Sequence, residues 1–369
     1  MGHWPAPPGV RPAAPRHRLG TGRLGSLTMY SKPAHLPDQM VVAALAASWD
    51  VAPVALDYLA VGFGSYHWRA AGRGGGSWFV TVDDLAERLR GPADSLAAAY
   101  RRLRAALETA RAVKDAGAPF VVAPLPTMTG EVVAGIGDRF AISLYPLVDG
   151  RSHEWGESLP AAGREAVLRL LVALHDTPQQ VRASALTEEY LLPQREELTS
   201  ALAGLAAPWA SGPYGERARA LLDRHASAVE RLLGQYDQLA GQASEQPERR
   251  VLTHGEPHPG NLIETGAGWL LVDWDTAAAA LPERDLWLLS PGDDWVAGAY
   301  RRASGRAVRP AMLALYRLQW ELTDIAGFVA RFAAEHGDTE DDRTSWEAVA
   351  GYLPGTQARS EEISLILRG

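Results

Sequence analysis

The segment 254–261 concentrates several polar side chains in one short loop. His254, Glu256 and Asn261 lie between apolar flanks, and the two prolines and two glycines among them exclude a helix. A carboxylate can orient or deprotonate an attacking hydroxyl group, and an amide oxygen can bind a hard metal ion. The segment is therefore a candidate catalytic loop.

A second acidic segment follows shortly after this loop. Residues 270–275 read Leu-Leu-Val-Asp-Trp-Asp, an apolar strand that ends in Asp273 and Asp275. Mg²⁺ prefers oxygen ligands, so Asn261 and Asp273 would suit a magnesium site. Phosphoryl transfer needs a carboxylate near the attacking hydroxyl group, and an amide oxygen plus a carboxylate for the metal on the phosphates. The two segments together predict a phosphoryl-transfer site.

Two other interpretations of the loop stay open. His254 and His258 have the i, i+4 spacing of a zinc-binding helix, but the prolines disfavour that helix and no third ligand is evident. A rigid Pro/Gly turn whose histidines contact backbone groups would also explain these residue types. The presence of Asp273 favours phosphoryl transfer over both.

The elements that must position these residues begin with a strand-rich region. The pattern predicts, in chain order, a short helix from residue 38, strands at 54–61, 66–70 and 78–82, a long helix from Pro92 to about Ala116, and strands at 120–123, 131–136 and 139–145. From these segments we expect a five-stranded antiparallel sheet, with the long helix beside it. The region 38–145 is the predicted N-lobe, which would bind nucleotide.

The chain beyond Pro146 changes character and is predicted to be mostly helical. Helical periodicity covers 160–176, 187–206, 213–240, 294–303, 310–335 and 343–366. Residues 146–369 are the predicted C-lobe, with the catalytic loop, the metal site and the substrate pocket. Residues 1–37 contain no acidic residue and are rich in proline and arginine, which predicts a disordered leader, with Met29 as an alternative start.

Composition excludes several classes of function. The 369 residues include no cysteine, which rules out disulfides and thiolate sites and favours a reducing, cytoplasmic location. A net charge of -8 disfavours nucleic-acid binding and suits a cationic or neutral small substrate. No apolar run is long enough to predict a membrane span.

The motifs resemble those of one known family. The loop His-Gly-Glu-Pro-His-Pro-Gly-Asn at 254–261 is similar to the catalytic loop of the aminoglycoside phosphotransferase family, usually His-Gly-Asp-x-His-x-x-Asn. Residues 272–275 resemble the family's metal-binding strand, and 283–287 resemble the acidic-leucine signature that follows it. The turn at 62–68 is most similar to the spectinomycin phosphotransferase-like branch. The resemblance covers about 40–340 and implies a bilobal, protein-kinase-like α+β fold.

The resemblance also implies an activity and residue roles. The expected reaction moves the γ-phosphoryl group of ATP or GTP, with Mg²⁺, to a hydroxyl group of an aminoglycoside-like antibiotic, an amino sugar or a related metabolite. Glu256 takes the place of the catalytic base, and Asn261 and Asp273 take the places of the Mg²⁺ ligands. His254 would brace the loop, and Asp285 would anchor the C-lobe.

Two positions depart from the family pattern. Glu256 replaces the usual aspartate, and its extra methylene moves the carboxylate by roughly 1 Å, enough to cost on the order of 100-fold in rate. Thr81 stands on the third strand where the lysine that holds the α- and β-phosphates is expected. Arg69, on the second strand, is the candidate substitute, and a solvated strand arginine is the alternative.

The remaining candidate residues form three groups. The nucleotide candidates are the glycine turn and its neighbours, namely Gly62, Gly64, Ser65, Arg69 and Thr81, and the hinge residues Tyr145 and Leu147. The substrate candidates are Asp149, Glu154, Asp275 and Asp293, with a solvated acidic surface as the alternative. Two other functions stay open: a pseudokinase without turnover, and a kinase for a peptide in a biosynthetic pathway.

Overall fold

The computed structural model describes residues 32–33, 35–61, 64–91, 93–289 and 295–368. Most of the predicted leader, and Pro92, therefore lie outside the described residues. The chain divides into two compact units. One, the sheet unit, comprises 27–188 and 251–280, and the other, the helical unit, comprises 189–250 and 281–369.

The sheet unit contains a five-stranded antiparallel sheet, as predicted, in the order β1-β2-β3-β5-β4. Its elements are α1 (Asp38–Trp49), β1 (Ala55–Leu59), β2 (Ser65–Ala71), β3 (Ser77–Asp84), α2 (Leu96–Asp115), β4 (Ala134–Ile136) and β5 (Phe140–Pro146). Trp68, Val80 and Ile142 face one core together with Val41 of α1. Because side chains alternate along a strand, the odd-numbered residues of β2, β3 and β5 occupy the opposite face.

Two details of the predicted N-lobe were wrong. Residues 120–123 are not a strand of the sheet, because their backbone binds the candidate metal-site segment, residues 270–275. Val122 donates to the Leu271 carbonyl oxygen (3.0 Å) and Leu271 donates to the Phe120 carbonyl oxygen (2.8 Å). The long helix begins at Leu96 rather than at residue 92, because the Ser95 side chain accepts the Ala98 N–H and caps it.

The rest of the sheet unit carries the catalytic segments. It adds β6 (Arg151–Ser152), α3 (Ala161–His175), α4 (Gln179–Arg182), β7 (Val251–Thr253), β8 (Leu262–Thr265), β9 (Gly268–Leu271) and β10 (Ala278–Ala280). Strands β6, β8 and β9 form one small sheet, and β7 and β10 form another. The loop 254–261 therefore connects strands of two small sheets, which fix both of its ends.

The helical unit contains the remaining helices. They are α5 (Arg195–Ala203), α6 (Gly215–Ser244), α7 (Glu283–Leu286), α8 (Trp295–Ser304), α9 (Pro310–Ala333), α10 (Glu340–Tyr352) and α11 (Thr356–Ile366). Leu232 and Tyr236 of α6 and Ile325 and Phe328 of α9 are buried at its core. None of the helices in the described ranges is both long and apolar enough to cross a bilayer.

Two predicted helices of this unit differ from the structure. The predicted helix 187–206 begins only at Arg195, because Tyr190 and Gln194 have left-handed backbone conformations. The predicted helix 343–366 is two helices, because the Leu353-Pro354-Gly355 turn interrupts it and proline removes a helical N–H. Asp285, the predicted anchor, is fully buried in α7.

Candidate active site

His254 holds the catalytic loop against the metal-site segment. Its side chain is fully buried, and its Nε2 lies 2.9 Å from the Val272 carbonyl oxygen. A carbonyl oxygen only accepts, so Nε2 carries the proton and Nδ1 accepts the Glu256 N–H at 3.3 Å. Both ring nitrogens therefore form hydrogen bonds with the backbone, so neither has a lone pair left to bind zinc. The Thr276 hydroxyl group also donates to the His254 carbonyl oxygen.

Asn261 closes the loop from its other end. Its amide nitrogen donates to the Glu256 carbonyl oxygen at 3.0 Å and lies 3.3 Å from His258 Nε2. The backbone carbonyl oxygen of Asn261 accepts the Val272 N–H, which is a second connection between the loop and the metal-site segment. Since the amide nitrogen is engaged, the amide oxygen is the atom available to a metal ion.

Glu256, the candidate base, keeps its carboxylate accessible. The side chain is 28 % exposed, and Oε2 lies 3.7 Å from His258 Nε2. Gly255 next to it has φ 102°, a conformation that favours glycine. The turn at Gly255 lets the loop place the Glu256 carboxylate close enough to Asp273 for the two charges to interact.

Asp273 occupies a strained backbone position beside this carboxylate. It has φ 64°, which is uncommon for a residue other than glycine, and such strain concentrates at functional sites. The adjacent Trp274 is fully buried and donates to the Leu271 carbonyl oxygen, so it anchors the turn. Desolvation, followed by the charges of Asp275 and Glu256, raises the pKa of Asp273 well above its usual range.

The odd-numbered face of the large sheet meets these carboxylates. Thr81 lies opposite His67 in the sheet, and its hydroxyl group is 3.3 Å from His67 Nδ1. Burial lowers the pKa of His67 to about 4, although Asp275 opposes this. Burial and then the charges of Asp83, Asp273 and Asp275 raise the pKa of Tyr145 well above its usual value. This sheet face therefore forms one side of the site.

Arg88 and Asp83 join the sheet to the metal-site segment. The Arg88 guanidinium contacts Asp83 Oδ1 at 2.5 Å and Asp275 Oδ2 at 2.6 Å, both through Nη2. Ser65 donates to the same Asp83 oxygen at 2.6 Å. Burial raises the pKa of Asp83, and the Arg88 charge and the Ser65 hydrogen bond oppose this rise.

The structure brings the predicted site residues together to different degrees. Glu256, Asn261, Asp273, Asp275 and Thr81 share one region of the sheet unit with Ser65 and Tyr145. Arg69, Leu147, Asp149 and Glu154 are exposed, and Gly64 precedes β2 with φ 79°. Gly62 and Asp293 lie outside the described residues. The roles of these residues stay predictions.

Two residues at the site were missed from the sequence. Asp83 is the second-to-last residue of β3, and the pair Asp83-Asp84 after alternating apolar residues indicates acidic side chains at the end of a strand. Arg88 lies in the turn after β3, and nothing in its spacing separates it from the many other arginines.

Magnesium fits the oxygen atoms at this site. Asn261 supplies an amide oxygen and Asp273 a carboxylate, both of which are donors that Mg²⁺ prefers. No group of three His, Asp or Glu side chains in the described ranges could hold a metal ion by itself. A magnesium ion here would therefore draw further ligands from water and from nucleotide phosphates, as Mg²⁺ commonly does.

Comparisons with known proteins identify the family of this chain. The sequence profile of the phosphotransferase enzyme family matches residues 59–343. Protein StrN of Streptomyces griseus is 31% identical over 269 residues, which are 69% of this chain and 78% of StrN.

Solved structures share the fold. Spectinomycin phosphotransferase APH(9)-Ia, solved with ADP and spectinomycin, is 16% identical with a TM-score of 0.67, over 88% of this chain and 98% of that one. The microcompartment-associated aminopropanol kinase is 16% identical with a TM-score of 0.58, over 89% and 99%. These likenesses confirm the predicted kinase-like α+β fold.

Proposed function

Because the chain belongs to the phosphotransferase enzyme family, as its motifs predicted, we propose that it is a small-molecule kinase. It transfers the γ-phosphoryl group of ATP or GTP to a hydroxyl group. The observation that carries the proposal is the meeting of Glu256, Asn261 and Asp273, whose loop and turn are tied together by His254 and by the Asn261 backbone.

Each of these residues has a separate role in the proposed reaction. Glu256 orients the acceptor hydroxyl group and takes its proton as the oxygen attacks. Asn261 and Asp273 would hold Mg²⁺, which neutralises charge on the phosphates when it is bound. His254 fixes the loop through its two backbone hydrogen bonds, so that Glu256 and Asp273 keep their separation.

The acceptor belongs to the class of aminoglycoside-like antibiotics, amino sugars and related metabolites. Structural relatives named for spectinomycin and aminopropanol support a small hydroxyl-bearing amine. The net charge of -8 favours such a cation, and Asp149 and Glu154 are exposed acids that could contact its amines, as predicted also for Asp293. The absence of cysteine fits a cytoplasmic enzyme with access to nucleoside triphosphates.

The proposal is tested first by nucleotide binding. Thermal stabilisation by ATP and GTP, with and without Mg²⁺, is measured for the native chain, Asp273→Ala and Glu256→Gln. Glu264→Gln is the matched control, since it makes the same chemical change on β8, three residues after Asn261. We expect Mg²⁺-dependent stabilisation that Asp273→Ala removes and that both glutamine variants keep.

Turnover is then measured with a panel of aminoglycosides, amino sugars and amino alcohols. Glu256→Gln should lower kcat by a factor on the order of 10² to 10⁴, whereas Glu264→Gln should match the native rate. Nucleotide binding without turnover on any acceptor would contradict the enzyme proposal and support a pseudokinase. Turnover restricted to a peptide acceptor would redirect the substrate class and leave the mechanism intact.

A further inference from the structure

The large sheet lacks the cation that a kinase uses on its nucleotide phosphates. In kinases a lysine on the third strand pairs with the phosphates and is held by a glutamate of the neighbouring helix. Here β3 carries Thr81, which contacts His67. Glu108 on α2 is 45 % exposed and pairs with Arg104 on the surface of its own helix. Neither half of the usual ion pair is therefore present at its usual place.

A different ion pair occupies the end of the same strand. Arg88 donates to Asp83 through Nε at 3.1 Å and Nη2 at 2.5 Å, so that one edge of the guanidinium is fixed. Nη2 also contacts Asp275 and, at 3.3 Å, the Ser65 hydroxyl group. The side chains of Arg88 and Asp83 are 20 % and 3 % exposed, which makes this a largely buried pair.

The other edge of the guanidinium is left for a ligand. Within the part of the chain that the structure describes, every hydrogen bond of Arg88 uses Nε or Nη2, and Nη1 has no partner. A guanidinium with one edge held by a carboxylate presents its remaining donors in a fixed direction. Arg88 stays charged, because Asp83 and Asp275 outweigh the cost of its burial and raise its pKa.

We propose that Arg88 is the phosphate-binding cation of this site and that Asp83 is the carboxylate that positions it. The inference rests on the proposed kinase function. Arg88 contacts Asp275, two residues beyond the candidate metal ligand Asp273, so its guanidinium lies beside the region where nucleotide phosphates would meet a metal ion. Other kinases have this ion pair between the middle of the third strand and the neighbouring helix. In this chain the pair lies between the end of β3 and the turn after it.

The other basic residues considered for this role are less suitable. Arg69 shares the face of His67 but is exposed, and no carboxylate at the site contacts it among the described residues. Lys114 lies near the end of α2, where it donates to the Pro119 carbonyl oxygen on the surface. Arg88 is the basic residue that the structure places against Asp83 and Asp275 together.

Charge balance supports a phosphate-binding role. Asp83 and Asp275 both contact the Arg88 guanidinium, and Asp273 and Glu256 add two more carboxylates to the same region. A triphosphate entering this region requires positive charge from the protein as well as from a metal ion. Arg88 provides that charge at a fixed position, which a mobile surface arginine would not.

The test compares ligands that have both a base and phosphates with ligands that have only one of the two. Binding of MgATP, MgGTP, adenosine and inorganic triphosphate is measured by calorimetry for the native chain and for Arg88→Gln. Arg139→Gln is the matched control, because Arg139 forms a similar ion pair with the neighbouring Asp84. We expect Arg88→Gln to weaken MgATP and triphosphate about 10- to 100-fold, with adenosine unchanged, and Arg139→Gln to bind all four as the native chain does.

Two further variants keep the test decisive if Arg88→Gln unfolds. The double variant Arg88→Gln/Asp83→Asn removes both charges, so no buried charge is left unpaired, and it should show the same selective loss. Thr81→Lys in the Arg88→Gln background should restore MgATP affinity to within about threefold of native. Native-like MgATP binding by a folded Arg88→Gln or double variant would overturn the role of Arg88 alone. Failure of the native chain to bind either nucleotide would overturn the proposed function as well.

Discussion

The Arg88 Nη2 atom lies 2.6 Å from Asp275 Oδ2, although 187 positions separate the two residues in the chain. The contact joins the turn after β3 to the acidic segment after β9. Backbone hydrogen bonds add to it, because Leu271 accepts from the Val122 N–H and donates to the Phe120 carbonyl oxygen. The metal-site segment is therefore held to the turn after β3 by side chains and to residues 120–122 by backbone hydrogen bonds.

Removing the Asp275 charge should weaken the sheet unit. Both side chains of the Arg88–Asp275 pair are about four-fifths buried, so Asp275→Asn should lower the free energy of unfolding by about 1–3 kcal/mol. Asp115→Asn breaks an exposed pair with Arg111 and should cost under about 0.5 kcal/mol. Denaturant unfolding measures both, and equal losses would show that burial of the pair contributes nothing.

His254→Ala should damage stability and rate together. The change leaves a cavity and removes the partners of the Val272 carbonyl oxygen and the Glu256 N–H, at a cost of about 2–4 kcal/mol. The loop then no longer fixes Glu256 against Asp273, so kcat should fall more than tenfold while the melting temperature drops. His35→Ala, at an exposed position, is the control. A stable His254→Ala with native kcat would refute the bracing role.

Shortening the side chain of Glu256, the proposed catalytic base, should slow the reaction. Glu256→Asp retracts the carboxylate from His258, which lies 3.7 Å away in the native chain, and by roughly 1 Å from the acceptor. We expect kcat to fall about 10- to 100-fold and the KM for nucleotide to stay within twofold. A faster Glu256→Asp enzyme would mean that the glutamate itself limits the native rate.

Acid should destabilise the chain partly through His67. Folding lowers the pKa of His67 to about 4 from an ordinary 6.5. As the pH falls, His67 is therefore protonated in the unfolded chain before it is protonated in the folded protein. The stability that neutral His67 contributes is complete above about pH 6.5 and is lost as the pH falls towards 4. His67→Gln should therefore lose less stability than the native chain between pH 7 and pH 4.5, by about 1–3 kcal/mol. Parallel pH curves for the two proteins would exclude this contribution.

Much of the catalytic loop could be predicted because its chemistry is local. Gly255, Pro257 and Pro259 exclude a helix from sequence alone, and Asp273 follows an apolar strand. Arg88 could not be predicted, because its role depends on Asp275, which only the folded chain brings near. Residues 120–123 were misplaced for the same reason: their apolar pattern suits a strand, but their partner is Leu271 rather than the large sheet.

Helix boundaries show where local signals were sufficient and where they were not. Pro354 indicates a helix break within 343–366. The prediction missed the break because both halves continue the same apolar spacing. The first residue of the predicted helix 187–206, Thr187, instead bridges Ala279 far along the chain. Long-range pairing of this kind overrides local helical preference.

The sheet unit is assembled from two stretches of chain, 27–188 and 251–280, with 189–250 between them. During synthesis, β3 and Arg88 leave the ribosome long before Asp275 does. The contact between Arg88 and Asp275 can form only after both stretches have been synthesised. Closing the long loop between them slows the final step of folding. The candidate site is consequently completed late, when the chain has been made beyond residue 280.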